Sequence, residues 1–246
     1  FGGTFDSIFI YRSTNGGVSF DQWKKVGVTA PMVKMQLVTY DEAGGDNYLV
    51  AYLVTETKNY QAWRWDMATG GFSAEVIATD VVDFGVDTNY SGNTSTQRSF
   101  STYEKSDHII YSARSTSGSY GFDWVDETSL GYVGEQVEFT YGYLGSTYTA
   151  FLGFSTRSLR SSANSDYNDP TSWATNEIVA DGATTESLNP TIRSTRKELA
   201  SDEVIIIASS RAAGTTDKFD GQAYRRENGA AYAPIGYITT SSGYNI

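Results

Sequence analysis

The side chains of this 246-residue chain that can do chemistry are one histidine, its carboxylates and its arginines. A Ser/His/Asp triad needs a histidine to take the nucleophile's proton. Only His108 is available, and it opens a β-rich run, where a lone histidine more often has a structural partner. Paired carboxylates do general acid–base work. Asp41, Glu42, Asp83, Asp87 and Glu138 are available, but their spacing selects no pair. Two oxygen-rich stretches, Tyr40–Asn47 and Asp166–Asp169, offer the ligand type that Ca²⁺ takes. Neither follows EF-hand order, and acidic turns account for both. With no cysteine, disulfides, thiol nucleophiles and thiolate metal sites are excluded. No phosphate-binding glycine loop occurs. No metal and no cofactor is therefore expected. Asn89-Tyr90-Ser91 and Asn93-Thr94-Ser95 are glycosylation sequons, relevant in a eukaryotic secretory setting.

Formal net charge is -11, and the pI is about 4.5. Such a surface repels phosphate backbones and anionic membranes, so neither nucleic acid nor lipid is an expected partner. No apolar run approaches the ~20 residues of a membrane span. Low Lys with abundant Ser, Thr, Gly and Tyr fits an extracellular or cell-surface protein. The start at Phe1-Gly2-Gly3 reads as a processed form or a segment of something longer.

Short alternating or apolar runs separated by Gly/Ser/Asn/Asp clusters must position these residues, a spacing that predicts an all-β protein. Expected strands are Ser7–Tyr11, Val33–Tyr40, Tyr48–Thr55, Ala62–Asp66, Glu75–Thr79, Phe100–Glu104 and His108–Ala113. Gln136–Tyr143, Tyr148–Ser155, Thr191–Ser194, Val204–Ser209 and Gln222–Arg226 continue the series. No window holds a clean helical period, and Thr195–Asp202 reads as a turn.

One segment repeats. Arg12-Ser13-Thr14-Asn15-Gly16-Gly17-Val18-Ser19-Phe20-Asp21 aligns without gaps to Arg114-Ser115-Thr116-Ser117-Gly118-Ser119-Tyr120-Gly121-Phe122-Asp123. Each copy follows a β-rich run. The offset fits two units of about 50 residues, the size of a four-stranded propeller blade. A third, interrupted copy runs from Ser162 to Trp173. Phe20, Trp63 or Trp65, Trp124, Trp173 and Tyr224 are expected to close successive units. This spacing predicts one domain over residues 1–246, a β-propeller of about five blades or a fragment of a larger one. Its N-terminal blade is incomplete, and the tail Ala231–Ile246 could complete it.

The stretch Ser13–Phe20 resembles the Asp-box, or BNR repeat, of sialidase-like β-propellers. Ser13, Asn15, Gly17 and Phe20 fill its defining positions, while Ser115, Gly118 and Phe122 belong to a degraded copy. Physically the box is a turn: Ser and Asn cap it, glycines permit positive φ, and Phe20 is expected to bury its ring between blades. The resemblance places it away from an active site. It also implies a test for catalysis: three arginines on a substrate carboxylate, a tyrosine nucleophile with a glutamate, and an aspartate acid. Arg193 and Arg211 are the clamp candidates, and Tyr103 with Glu104 the nucleophile pair, although strand neighbours face opposite ways. The Arg-Ile/Leu-Pro motif of that family is missing. The favoured reading is a non-catalytic propeller presenting a glycan- or protein-binding surface, with rim aromatics Tyr90, Tyr120 and Tyr167 as candidates. An exo-glycosidase of the sialidase type and a structural part of an adhesin, filament or virion stand as alternatives.

Overall fold

The computed structural model describes residues 7–28, 30–41, 47–88, 97–141, 147–153, 158–166, 169, 171–174, 177–180, 185–186, 192–196, 203–212, 219–227 and 230–239. The described residues form eighteen strands and no helix. Every strand pairing is antiparallel, as expected for short runs joined by tight turns.

The strands group into meanders. A leading hairpin joins β1 (Ser7–Arg12) to β2 (Asp21–Gly27). Unit I is β3 (Met32–Asp41), β4 (Asn47–Thr55), β5 (Tyr60–Asp66) and β6 (Phe72–Ala78). Unit II is β7 (Val81–Thr88), β8 (Ser99–Lys105), β9 (Ile109–Ser115) and the first half of β10 (Trp124–Tyr141). From Gly134 onward β10 leaves β9 and pairs with β11 (Thr147–Gly153). Unit III therefore starts on that second half and continues through β11, β12 (Leu159–Asn164) and β13 (Glu177–Ala180). In unit IV, β14 (Thr185–Glu186) and β15 (Ile192–Arg196) pair with opposite ends of β16 (Glu203–Ala212). β17 (Phe219–Glu227) and β18 (Ala233–Thr239) complete it.

Within the tail, Ala233–Thr239 thus pairs with β17 as the outer strand of unit IV, and among the described residues it makes no pair with the leading hairpin. Residues 240–246 lie outside the described residues. The helix-or-turn stretch Thr195–Asp202 begins inside β15, and most of it falls outside the described residues.

The described core is a set of layers between successive units. Ile8, Ala51, Leu53, Trp63 and Trp65 fill the layer between hairpin and unit I. Val38, Tyr40, Val50, Tyr52, Phe84, Val86 and Tyr103 lie between units I and II. Phe100 with Phe139, and Ile110 with Val137 and Phe151, join units II and III. Tyr148, Leu152 and Tyr224 join units III and IV. The second strands of units I–III are consequently buried along almost their whole length, while the outer strand β6 is mostly exposed.

The first strands of units I–III are tied at the centre. Lys34 Nζ lies 2.8 Å from Asp83 Oδ1 and 3.5 Å from Glu138 Oε1, and donates to the Phe84 carbonyl at 2.6 Å. Asp83 Oδ2 also accepts the Val137 amide at 2.6 Å. Two of the acidic candidates therefore meet, but as an ion network binding three strands.

Buried tyrosines make the fold sensitive to alkali. Burial pushes the phenols of Tyr40, Tyr52, Tyr60 and Tyr103 up, that of Tyr40 to about 12. The unfolded chain releases these protons near pH 10, while the folded chain keeps them. Stability is thus full below pH 10 and falls as pH climbs toward the folded values, by about 1.4 kcal/mol per pH unit for each such phenol. Cooperative unfolding is expected above pH 10, with phenolate absorbance rising as the β circular-dichroism signal is lost. Phenolate appearing while the sheet signal holds would contradict this account.

Candidate functional site

The loop between the third and fourth strands recurs with a side-chain turn. In the hairpin, Asn15 Oδ1 accepts the Ser19 amide at 3.0 Å, and Ser13 Oγ accepts the Gly17 amide at 2.8 Å. In unit I, Asp66 Oδ1 accepts the amides of Ala68 and Thr69. In unit III, Asp169 accepts hydroxyls from Ser172 and Thr171, which hold its carboxyl down at about 2. The same kind of loop therefore arises from Asn or Asp at differing offsets.

Among the aromatic residues after these loops Trp173 stands where expected, Phe122 takes the place expected of Trp124, and the others also depart from expectation. Phe20 is 62% exposed, because no sheet among the described residues packs on that side of the hairpin. Trp63 and Trp65 lie within β5, so the aromatic closing unit I's loop is Phe72. Tyr224 lies within β17, and Tyr232 takes the closing place. The closing ring of each later unit seats on the third strand of the unit before it. Phe122 lies under the Arg64 guanidinium, 4.3 Å from its Cζ. Trp173 Nε1 donates to Ser112 Oγ at 3.3 Å, and the Tyr232 and Ser161 hydroxyls are 2.9 Å apart. Carboxylates reinforce two of these junctions. Glu75 accepts the amides of Asp123 and Trp124, and Glu177 accepts that of Tyr232. Arg226 pairs with Glu177 at 3.0 Å while lying over the rings of Tyr148 and Tyr232.

The junction of units I and II carries two features that locking does not require. The Arg64 guanidinium contacts two rings, Phe122 and Tyr48, the latter at 5.1 Å, and donates to the Ser119 carbonyl at 2.7 Å. Tyr120 lays its ring on Tyr48 with centroids 4.9 Å apart and planes 21° apart. To do so, Tyr120 adopts a φ of 49°, and Asp123 one of 55°. Left-handed backbone at a non-glycine costs on the order of 1 kcal/mol and persists only where the surroundings enforce it. The enforcement is visible below. Gly121 has a φ of 79°, and its carbonyl accepts Trp124 Nε1 at 2.8 Å. A Cβ on Gly121 would stand 2.2 Å from the Tyr52 hydroxyl. Tyr52 is fixed in turn by Tyr40 and Ser99. Tyr48, Arg64, Tyr120 and Trp124 are all half-buried, so the cluster combines flat apolar faces with one charged donor at the surface.

The other candidate residues are dispersed. Tyr103 is fully buried, and its hydroxyl donates to Glu127 at 2.9 Å, not to Glu104. Glu104 is buried, which raises its pKa, and it accepts from Gln136 N while bonding His108 Nδ1 at 2.7 Å. His108 therefore has a structural partner. Arg193 pairs with Ile207, four residues along β16 from Arg211, which separates the two backbones by about 13 Å. The side chains of Arg193 and Arg211 lie outside the described residues, as do Tyr90 and Tyr167. Arg64 donates to a loop carbonyl, Arg98 bonds Ser117 and Arg114 pairs with Asp126. These three arginines thus serve separate partners and do not converge on one anion. Of the rim aromatics only Tyr120 is placed, and it sits in the Arg64 cluster. Tyr48, Arg64 and Glu75 were not singled out as site residues by sequence, and Phe122 was named only as part of the degraded turn. The available signal was Gly121, which follows a tyrosine inside the repeated loop.

No family model matches the sequence, and no curated protein matches it. Solved structures do. The SapL1 lectin, solved in complex with α-methyl fucoside, superimposes with a TM-score of 0.56 at 15% identity, over 96% of this chain and 79% of the lectin. The chain shares that lectin's fold. AofleA from Arthrobotrys oligospora scores 0.45 at 9% identity, covering 92% of this chain and 79% of the other. The α-L-arabinanase of Penicillium chrysogenum scores 0.47 at 11% identity, covering 93% and 72%.

Proposed function

We propose that the protein is a non-catalytic, extracellular β-propeller, with units I–IV as four-stranded blades, that binds neutral glycans at the junction of units I and II. Tyr120 carries this reading: a strained backbone holds its ring against Tyr48 beside the Arg64 guanidinium. Stacked rings match the apolar faces of a pyranose, and a guanidinium edge donates to its hydroxyls. The charge of -11 disfavours anionic sugars. The lectin fold supports the reading, as does a Tyr103 phenol that is buried and held protonated. The Asp-box-like loops act here as turns.

Titration with α-methyl fucoside and an array of neutral and sialylated glycans tests it. Saturable binding to neutral glycans is expected, with at least a tenfold loss in Tyr120→Ala, or about 1.4 kcal/mol. Binding to no glycan, or binding indifferent to Tyr120→Ala, would overturn the proposal.

A further inference from the structure

The leading hairpin reverses the charge of the chain around it. From Ser7 to Tyr40 the sequence carries Arg12, Lys24, Lys25 and Lys34 against Asp21 alone, in a chain whose net charge is -11. Lys34 pairs with Asp83 and Glu138 at the centre. Arg12, Lys24 and Lys25 form no ion pair among the described residues. Asp21 lies opposite Arg12 in the register and still forms none with it.

Two of these cations converge on one ring. In a regular strand Trp23 and Lys24 would face opposite ways. Ile10 is paired with Lys24 but Tyr11 with Gln22, so Trp23 is the extra residue of a β-bulge. Both neighbours consequently face unit I. Trp23 packs on the layer of Ala51, Leu53, Trp63 and Trp65, and the Lys24 ammonium lies against the turn at Gly70, where a Cβ would stand 2.6 Å from it. Arg12 follows Ile8 and Ile10 on that same face. Its Cζ lies 5.5 Å from the Trp23 ring centroid, and Lys24 Nζ lies 5.3 Å from it. Edge protection does not explain this arrangement. A charge that keeps an edge strand from pairing works by standing in water. Lys24 is instead half-buried, on a ring and against a glycine turn. Like charges gathered on one ring repel each other, and the ring's negative face offsets only part of the lost hydration. A bound anion would relieve both.

We propose that Arg12, Trp23 and Lys24 form a binding site for the acidic group of a saccharide, a carboxylate or a sulfate. Arg12 offers a planar fork to two of its oxygens, Lys24 adds a point charge, and the bulge fixes the place of both. A free anion would use the cations alone. The half-buried Trp23 ring adds a flat apolar face of the kind a pyranose covers. Charge separates this site from the Arg64 cluster, whose one guanidinium already donates to a loop carbonyl. The two sites share no residue, so the two proposals fail independently.

Calorimetric titration of the whole chain at low salt tests it, with a galacturonate oligomer, its uncharged methyl ester and a sulfated galactose oligomer as probes. Saturable binding of at least one acidic oligomer is expected, at least tenfold tighter than that of the ester, and the tighter of the two identifies the acidic group. Arg12→Gln and Lys24→Gln should each weaken it at least tenfold. Lys25→Gln is the control. It removes the same charge, but its ammonium lies on the Phe9 ring on the opposite face, so the loss should stay below threefold. Circular dichroism checks that each variant folds. Five results would overturn the proposal. Equal losses in all three variants would show diffuse charge attraction without a site. Inorganic sulfate binding as tightly as the oligomers would show that only an anion is recognised. Polyglutamate binding as tightly would assign the cations to an acidic peptide. A concentration-dependent dimer abolished by Arg12→Gln would assign them to the acidic surface of a second copy. No binding of either acidic oligomer would remove the site altogether.

Discussion

An alanine at Gly85 is expected to leave no stably folded protein. Its Cβ would stand 2.3 Å from Phe139 N, 2.6 Å from Glu138 C and 2.7 Å from Glu138 Cα. These are backbone atoms of the neighbouring first strand, so no side-chain rotation can relieve the clash. Relief requires β7 and β10 to separate at the centre. That would break the Asp83 bond to Val137 N and the Lys34 bridge to Asp83 and Glu138. Ordinary overpacking costs about 1–3 kcal/mol where side chains can shift. A backbone clash between paired layers should exceed about 4 kcal/mol, a large share of a domain's net stability of about 5–15. Denaturant midpoints and soluble yield measure it. Gly131→Ala is the control: nothing lies within 4 Å of its Cβ, and only its φ of 69° is strained, at about 1 kcal/mol. A Gly85→Ala midpoint close to that of Gly131→Ala would show that the inner strands have slack the structure does not reveal.

Arg64→Ala is expected to remove glycan binding by at least a hundredfold and to cost about 2 kcal/mol of stability. The guanidinium makes two ring contacts and one hydrogen bond to the loop, each worth on the order of 1 kcal/mol. Without it Phe122 loses its seat and the Ser119 carbonyl its donor, so the loop carrying Tyr120 loosens. Arg64→Lys separates the two effects. Lysine keeps the charge but has no planar fork with which to contact both rings while donating to Ser119. It should recover about half the stability and little of the affinity. Denaturation midpoints and glycan titration on the same samples read both. Full binding by Arg64→Lys would show that charge alone is used and that the two ring contacts are only a lock.

The relation of sequence to structure tracks the range of the interactions involved. Alternating runs became strands because period-two burial is written in neighbouring residues, and Ser13–Ser19 became a side-chain-capped turn because its bonds span four residues or fewer. Local chemistry also set the rhythm of about 50 residues per unit. Burial through Ser and Thr is not written in the sequence: it left β12 unread, while Phe100 and Tyr103 made β8 legible. β8 and β12 are lined with Ser99, Ser101, Thr102, Ser161 and Ser162, whose partners come from other strands or units, as with Thr102 and Thr149 at 2.7 Å. β7 and the full length of β10 escaped for a related reason. Their carboxylates Asp83 and Glu138 look like surface residues until Lys34 arrives from unit I.

By itself the sequence determined the all-β class, the repeated turn and the acidic surface, because each depends on residue type and near neighbours. Only the tertiary structure decided which rings matter. Phe20 and Phe122 hold the same place in the repeat, yet one is exposed and the other is buried under Arg64. The difference is whether another sheet lies against that face, which a residue's own neighbours in the chain cannot specify.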